Sequence, residues 1–226
     1  MTMEITVTTQ FLILSLHPDK GRIMTDSIHF RYSLTGAVLM DFLDNGEISL
    51  SDNRLIPAFR KNGDPIHDLF AEKIEKSSKP KRIFYWVRSL TGKSRFVFRE
   101  TVNSLINKGI LRHERRFFMN IFPYNRYFLT DRKLRTGIID DIRNVLLHNK
   151  PATRKQSMLI GLIKASLSHQ LLAKEKEERK ILRKKCNEFI QSDAMASEID
   201  KAIRAVQAAI IASVTASTVA ASSASH

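Results

Sequence analysis

The chain contains 226 residues, of which 43% are hydrophobic, and this content is sufficient for a packed core. It carries 37 Lys and Arg residues against 23 Asp and Glu residues, so its net charge is +14. Such a charge favours polyanionic partners, namely nucleic acid or an anionic membrane surface. The single cysteine, Cys186, excludes an intramolecular disulfide and a cysteine-based zinc site, and it is typical of a protein of the reducing cytoplasm.

The two most apolar stretches, near the ends of the chain, are predicted to be buried elements. Residues 11–16 form a run too short for a secretory signal, and the segment before them is Thr-rich and acidic rather than basic. Residues 205–221 consist mainly of Ala, Val, Ile, Ser and Thr, which is weakly apolar for a membrane span of about 20 residues. We expect a core helix here, followed by a flexible Ala/Ser-rich tail over residues 215–226.

Hydrophobic periodicity predicts a mainly α-helical protein. Leu34, Val38 and Phe42 recur every four residues, and the pattern stops at the helix-ending pair Asn45-Gly46. Similar helical spacing recurs in residues 98–106, 138–146 and 160–171. Each segment is expected to be an amphipathic helix that turns one face to a common core.

Turn-forming residues predict where the helices are interrupted. Residues 52–65 are rich in Pro, Asn, Gly and Asp and are predicted to be a surface loop. The sequence SSKP at residues 77–80 separates helices predicted near residues 66–75 and 82–90, and residues 149–153 form another break. None of these breaks is long enough to separate two independent domains, so we expect a single globular domain.

The sequence RRFFMNIFPYNRYFLT, residues 115–130, predicts a β-hairpin with an apolar end. We expect strands over residues 110–117 and 126–130, with a turn in residues 120–125 around Pro123-Tyr-Asn. Strand alternation distributes the apolar side chains over both faces. Phe118, Asn120 and Phe122 share one face, and Phe117, Met119 and Ile121 share the other. Such a hairpin is expected to pack inside the protein, to contact another protomer, or to enter a bilayer.

Basic residues surround this hairpin and predict a phosphate-binding site. Arg132, Lys133 and Arg135 come just before the helix around residue 138, where helix-terminal N–H groups also favour anions. We take these three side chains as candidate headgroup contacts. Arg115 and Arg116 are expected to add electrostatic support.

Two functions compete for this arrangement. A helix over residues 98–108, Gly109 and a basic hairpin follow the order of a winged-helix DNA-binding domain, in which Arg99, Asn103 and Lys108 would face a groove. Alternatively, a peripheral membrane protein would place arginines on lipid phosphates and apolar side chains in the headgroup region. The hydrocarbon end of the hairpin favours a membrane or a second protomer over nucleic acid.

The sequence contains no pattern typical of an enzyme. It has no Gly-rich phosphate loop, no GxSxG and no HExxH, and its seven histidines show no i, i+4 ligand spacing. We therefore expect a non-enzymatic protein without a cofactor or a bound metal ion.

Several segments, in their order, resemble the Golgi phosphoprotein 3 family. They are FLILSLHPDKG at residues 11–21, SLTGAVLMD at 33–41, DPIHDL at 64–69, WVRSL at 86–90, LINKGIL at 105–111, FLT at 128–130 and AIRAVQAAI at 202–210. The resemblance implies one helical domain over residues 8–214 with a protruding β-hairpin. It also implies peripheral binding to phosphatidylinositol 4-phosphate, which eukaryotic members bind at Golgi membranes while they retain glycosyltransferases by their cytosolic tails. The short loops look more like those of bacterial relatives.

The residues of the family's headgroup pocket are matched in part. The family's tryptophan and arginine fall at Asp26 and Thr35, which lack a stacking surface and a bidentate phosphate donor. One basic position falls at Arg135 and matches, whereas the second falls near Gly137. The fold and the hairpin therefore carry over, and the contacts with phosphatidylinositol 4-phosphate carry over only at Arg135.

Overall fold

The computed structural model describes residues 5–60, 63–192 and 197–223. Within these residues the chain is mainly α-helical with two small antiparallel hairpins, which confirms the predicted fold class. The helices are α1 (Val7–Ser15), α2 (Ser27–Asp44), α3 (Pro65–Glu75), α4 (Ile83–Thr91), α5 (Ser94–Asn107), α6 (Arg132–His148), α7 (Arg154–Ala165), a short 3-10 helix (His169–Leu171), α8 (Lys176–Gln191) and α9 (Glu198–Ser223). The strands are β1 (Ile48–Ser51), β2 (Arg54–Pro57), β3 (Leu111–Phe118) and β4 (Phe122–Leu129).

One hydrophobic core joins the helices, and α2 contacts several of them. It packs against α1, α4, α5, α7 and α9. Leu34, Val38 and Phe42 are all buried, as their spacing predicted. A Cβ atom at Gly36 would lie 2.4 Å from Cδ1 of Ile210, so glycine permits the close approach of α2 and α9.

The C-terminal helix α9 belongs to this core. Its residues Ile199–Ala220 are long and apolar enough to span a membrane by length and composition, with a mean hydropathy of 1.4. However, α9 packs against α2, α4 and α7, and Ile203, Val206 and Ile210 are fully buried. The helix continues through residues 215–223 of the predicted tail, and residues 224–226 lie outside the described residues. The flexibility of the tail stays a prediction.

Helix ends follow the capping residues of the sequence. The Asp64 carboxylate accepts hydrogen bonds from the first turn of α3, and Pro65 occupies the first helical position. Asn149 ends α6 in the left-handed conformation, with φ of 51°. Thr153 and Gln156 then form a capping box at the start of α7, which confirms the break predicted at residues 149–153.

Asp41 of α2 holds the N-terminus of α1. Its carboxylate accepts hydrogen bonds from the backbone N–H groups of Val7, at 2.7 Å, and Thr8, at 3.0 Å. A negative charge at this end also complements the helix dipole. Burial of the carboxylate nevertheless raises the pKa of Asp41 to about 6. The contact positions α1 and, with it, the loop that follows.

The prediction of a surface loop over residues 52–65 was wrong in its first part. Strand β2 lies inside this range and pairs with β1 through a two-residue turn at Asp52 and Asn53, whose φ angles are 48° and 58°. Both residue types tolerate positive φ, and two such residues form the tight turn of a hairpin. Each strand has only four residues, and of β2 only Leu55 is buried, so the alternation was too short to be recognised. Residues 61–62 lie outside the described part of the chain.

The second hairpin, β3–β4, is fixed to the helical body at its base. The backbone N–H of Tyr127 donates to the carbonyl of Gly21 at 2.9 Å, and the Phe128 ring packs directly on this glycine. On the other side, the Tyr127 ring contacts Phe98 of α5 with 5.7 Å between ring centroids. The base of the hairpin is therefore held between α5 and the loop that follows α1.

The contact of Gly21 with Phe128 predicts an asymmetry between two glycine variants. Gly21 and Gly46 both have positive φ, 56° and 70°, so alanine at either position costs about 1–2 kcal/mol of backbone strain. A Cβ at Gly21 would also lie 2.9 Å from the Phe128 ring, whereas a Cβ at Gly46 would have no atom of the described residues within 4 Å. We expect Gly21→Ala to lower the free energy of unfolding, measured in urea, more than Gly46→Ala does. Equal losses of unfolding free energy in the two variants would show that the close contact with the Phe128 ring adds nothing to the cost of the Gly21→Ala substitution.

Candidate functional site

The far end of the β3–β4 hairpin is a short turn that exposes its neighbours. Phe118 pairs with Phe122, and Met119, Asn120 and Ile121 connect them. Met119 and Asn120 have φ angles of 50° and 57°, and the N–H of Ile121 donates to the carbonyl of Phe118 at 3.1 Å. The hairpin is confirmed, but the turn predicted in residues 120–125 was wrong, because Pro123-Tyr-Asn lies within β4. The tight turn needs two residues that accept positive φ rather than a proline.

Five large apolar side chains surround this turn, and we call them the tip. They are exposed by half or more of their surface: Phe117 by 52%, Phe118 by 62%, Met119 by 72%, Ile121 by 69% and Phe122 by 61%. The register places Phe118 and Phe122 on one face and Phe117 on the other, as predicted. A contiguous apolar surface of this kind is typical of a site that contacts a membrane or another protein.

The stem between the tip and the base is strongly cationic. On one face Glu114 forms ion pairs with Arg112 and with Arg116, the latter at 2.7 Å. The guanidinium carbons of these two arginines lie 5.1 and 5.4 Å from the centroid of the Phe128 ring. The hydrogen bond from Arg116 holds the pKa of Glu114 below its usual value. One carboxylate therefore orders two arginines, and the pairs keep a net positive charge.

Arg115 lies on the opposite face of the stem from Arg116. Its guanidinium carbon is 5.6 Å from the centroid of the Phe117 ring, so its charge is next to the tip. On the same face His113 hydrogen bonds Asn125 at 2.9 Å and stacks on Tyr127 with 5.2 Å between centroids. The two predicted supporting arginines thus present positive charge on both sides of the hairpin.

The first turn of α6 contains two of the predicted headgroup residues. Arg132 is exposed and forms an ion pair with Asp19 at 2.8 Å. Lys133 is also exposed, and its backbone N–H donates to the carboxylate of Asp131, the N-cap residue. Because Asp131 already caps this end of α6, an anion would meet the two side chains rather than the helix N-terminus.

The third predicted headgroup residue, Arg135, points into the body of the protein. Its Nη2 atom donates to the carbonyls of Leu14, at 3.3 Å, and Leu171, at 3.2 Å. The loss of hydration lowers the pKa of Arg135 below its usual value. Arg135 therefore links α6 to α1 and to the 3-10 helix. Its side chain points inward, whereas Arg132 and Lys133 are exposed to solvent.

Arg135 also borders a cleft of about 650 Å³ that carries charges of both signs. Its charged lining residues are Asp19, Arg135, Arg143, Lys174, Glu175 and Glu178, together with His17. Arg143 forms an ion pair with Glu178 and donates to the carbonyl of Leu172 at 3.3 Å. Of the cations that line the cleft, Arg143 is paired with a carboxylate and Arg135 with backbone carbonyls.

The other two positions of the family's headgroup pocket serve the fold. The Asp26 carboxylate caps α2 and hydrogen bonds His29 at 3.0 Å. Thr35 is fully buried, and its hydroxyl donates to the carbonyl of Arg31 and accepts from Thr91. Neither side chain is available to a phosphate group.

The residues that set the direction of the hairpin were not predicted from the sequence. Gly21 and Phe128 are 107 positions apart, and no local pattern indicates that they touch. Glu114 was also missed, although its position two residues from both Arg112 and Arg116 places all three on one strand face.

A family model described as Golgi phosphoprotein 3 (GPP34) matches residues 8–206, which is nearly the whole chain. No curated protein matches the sequence.

Because Arg135 points inward, we expect that its replacement lowers the stability of the fold. Arg135→Ala would remove two charge-assisted hydrogen bonds and leave two carbonyls unpaired, so the free energy of unfolding should fall by about 2–4 kcal/mol. Arg132→Ala is the matched control, because an exposed ion pair contributes about 0–1 kcal/mol. Urea unfolding of both variants measures the difference. A small and equal change for both would mean that Arg135 is free for a ligand.

Proposed function

The chain belongs to the Golgi phosphoprotein 3 family, and from this premise we propose that it is a non-enzymatic peripheral membrane protein that binds anionic phospholipid surfaces. The observation that carries the proposal is the β3–β4 hairpin, in which an exposed apolar tip follows a cationic stem. The protein would act from the cytoplasm, where its single buried cysteine stays reduced.

The tip supplies the apolar part of binding. Burial of a whole Phe side chain is worth roughly 1.5–3 kcal/mol, and each Phe of the tip still has about half or more of its surface to bury. We therefore expect roughly 1–2 kcal/mol from each of Phe117, Phe118 and Phe122 on entry into the headgroup region. A rigid hairpin pays little conformational entropy for this contact, since its base is already fixed.

The stem supplies the electrostatic part. Arg115 and Arg116 precede Phe118 by three and two residues, which places them about 7–10 Å along the strand from it. At this distance from the tip, the two arginines would contact lipid phosphates while the tip lies deeper in the membrane. Each basic residue near an anionic surface contributes about 1 kcal/mol, and Arg132 and Lys133 at the start of α6 extend the same charge.

The family resemblance points to phosphatidylinositol 4-phosphate, but the site supports a less selective function. Asp26 and Thr35 are engaged in the fold, and Arg135 donates to two carbonyls. Recognition of one phosphorylated inositol requires several convergent donors. We therefore propose binding driven by total negative charge and by the tip, without a strong preference for one anionic headgroup.

Removal of the apolar tip should weaken membrane binding when salt is high. Phe118→Ser with Phe122→Ser is expected to reduce co-sedimentation with phosphatidylserine vesicles at least tenfold at about 0.5 M salt, where electrostatic attraction is screened within a few Å. Ile181→Ser is the matched control, because this side chain is 54% exposed on α8, far from the hairpin in sequence. Neutral vesicles and vesicles with phosphatidylinositol 4-phosphate at matched charge complete the comparison.

Three outcomes decide the proposal. Loss of binding in the double variant alone, with equal binding to both anionic vesicle types, supports it. A strong preference for phosphatidylinositol 4-phosphate would mean that the headgroup pocket works and that binding is selective. If binding is unchanged and only the oligomer size falls, measured by light scattering, the tip is an assembly surface and the membrane proposal is wrong.

A further inference from the structure

A second charged surface lies on α4 and α5, apart from the hairpin. Residues 76–99 contain no Asp or Glu. Their eight cations are Lys76, Lys79, Lys81, Arg82, Arg88, Lys93, Arg95 and Arg99. This segment alone contributes +8 of the net charge of +14. The positive charge of the protein is therefore concentrated in a region that the proposed membrane contact does not use.

The fold places some of these cations on one exposed face of helix α5. Helices α4 and α5 are joined by only two residues, Gly92 and Lys93, and the β3–β4 hairpin follows α5. Helix α5 buries Val97, Thr101, Val102 and Leu105 against the core. Arg95, Arg99 and Asn103, four residues apart, are exposed on its outer side, and we call them the α5 face.

Aromatic rings orient two of the cations near the α5 face, and only part of the positive charge there is paired with a carboxylate. The guanidinium carbon of Arg99 lies 5.3 Å from the centroid of Phe96, and that of Arg88 lies 5.7 Å from the centroid of Phe84. Arg99 also pairs with Glu100, whereas Arg95 and Lys93 have no carboxylate within ion-pair distance among the described residues. An aromatic ring orients a guanidinium but leaves its charge available to a phosphate.

We propose that the α5 face, with the cations of the α4–α5 junction, binds double-stranded DNA in the major groove. Arginine and asparagine are the side chains that pair bidentately with guanine and adenine in that groove, and the N-terminal part of a recognition helix usually makes these contacts. A lipid surface is disfavoured as the partner, because the α5 face exposes no large aliphatic side chain that would enter a bilayer. Duplex RNA is disfavoured, because its deep and narrow major groove does not admit a helix.

The order of elements also fits this use. A short helix, a tight junction, a second helix and a hairpin are the parts of a winged-helix domain. In this chain the hairpin is too apolar at its tip to serve as a phosphate-binding wing, so the DNA contact is assigned to the helices alone. The proposal is therefore independent of the membrane function.

Binding of the full-length protein to a fluorescein-labelled, mixed-sequence DNA duplex of about two helical turns, followed by anisotropy over a salt series, tests the proposal. For Lys93→Gln, Arg95→Gln and Arg99→Gln together, we expect at least a tenfold loss of affinity near 0.1 M salt. The slope of log K against log salt should become shallower by up to about 3, because each phosphate contact contributes about 0.9. Lys180→Gln, Arg183→Gln and Lys184→Gln on α8 form the matched control with the same loss of charge, and they should change the affinity little.

A single substitution keeps the proposal testable if the triple variant folds poorly. Asn103→Ala removes no charge, so it should weaken DNA binding several-fold while the salt slope stays the same. The hairpin variant Phe118→Ser with Phe122→Ser should bind DNA like the parent chain.

Four results would overturn the proposal. They are the absence of duplex binding near 0.1 M salt, equal losses in the α5 and α8 charge variants, equal competition by an RNA duplex of the same sequence, and a loss of vesicle binding rather than DNA binding in the α5 variant. The last result would assign the α5 face to a membrane.

Discussion

The close contact between Gly21 and the Phe128 ring fixes the direction of the β3–β4 hairpin, and the exposure of its tip depends on it. A ring that rests on a backbone without a Cβ leaves the hairpin little freedom to tilt. The hydrogen bond from Tyr127 to Gly21 and the packing of Tyr127 on Phe98 restrain the same base from two sides. The apolar tip is therefore held away from the core and stays exposed to solvent.

This arrangement separates two kinds of surface on one helical body. The hairpin combines hydrocarbon at its end with arginines on both faces of its stem, which suits the boundary between lipid headgroups and acyl chains. The α5 face has cations and an amide but no large aliphatic group, which suits the groove of a duplex. The mixed-charge cleft beside Arg135 matches neither, because Arg135 already donates to carbonyls and Arg143 is paired with Glu178.

Much of the fold could be predicted from local sequence, whereas the site could be predicted only in part. Helix periodicity and the end signals at Asn45 and Asn149 are local, so they were read correctly. The hairpin and its apolar end were also predicted, but the proline led to a misplaced turn, since positive φ is usual for Asn120 but has no sequence signal at Met119. The partners of Arg135 are carbonyls distant in sequence. The direction of a backbone carbonyl cannot be predicted from a pattern of side chains.

An environment-sensitive fluorophore on Phe118→Cys tests most directly whether the exposed tip enters a membrane. Cys186 should not react with the label, because it is fully buried and burial raises the pKa of its thiol to about 12. A label on Ile181→Cys of α8 is the control. The account predicts a blue shift for the hairpin label, and none for the control, when phosphatidylserine vesicles are added. An unchanged hairpin spectrum under conditions where the protein co-sediments with the vesicles would contradict it.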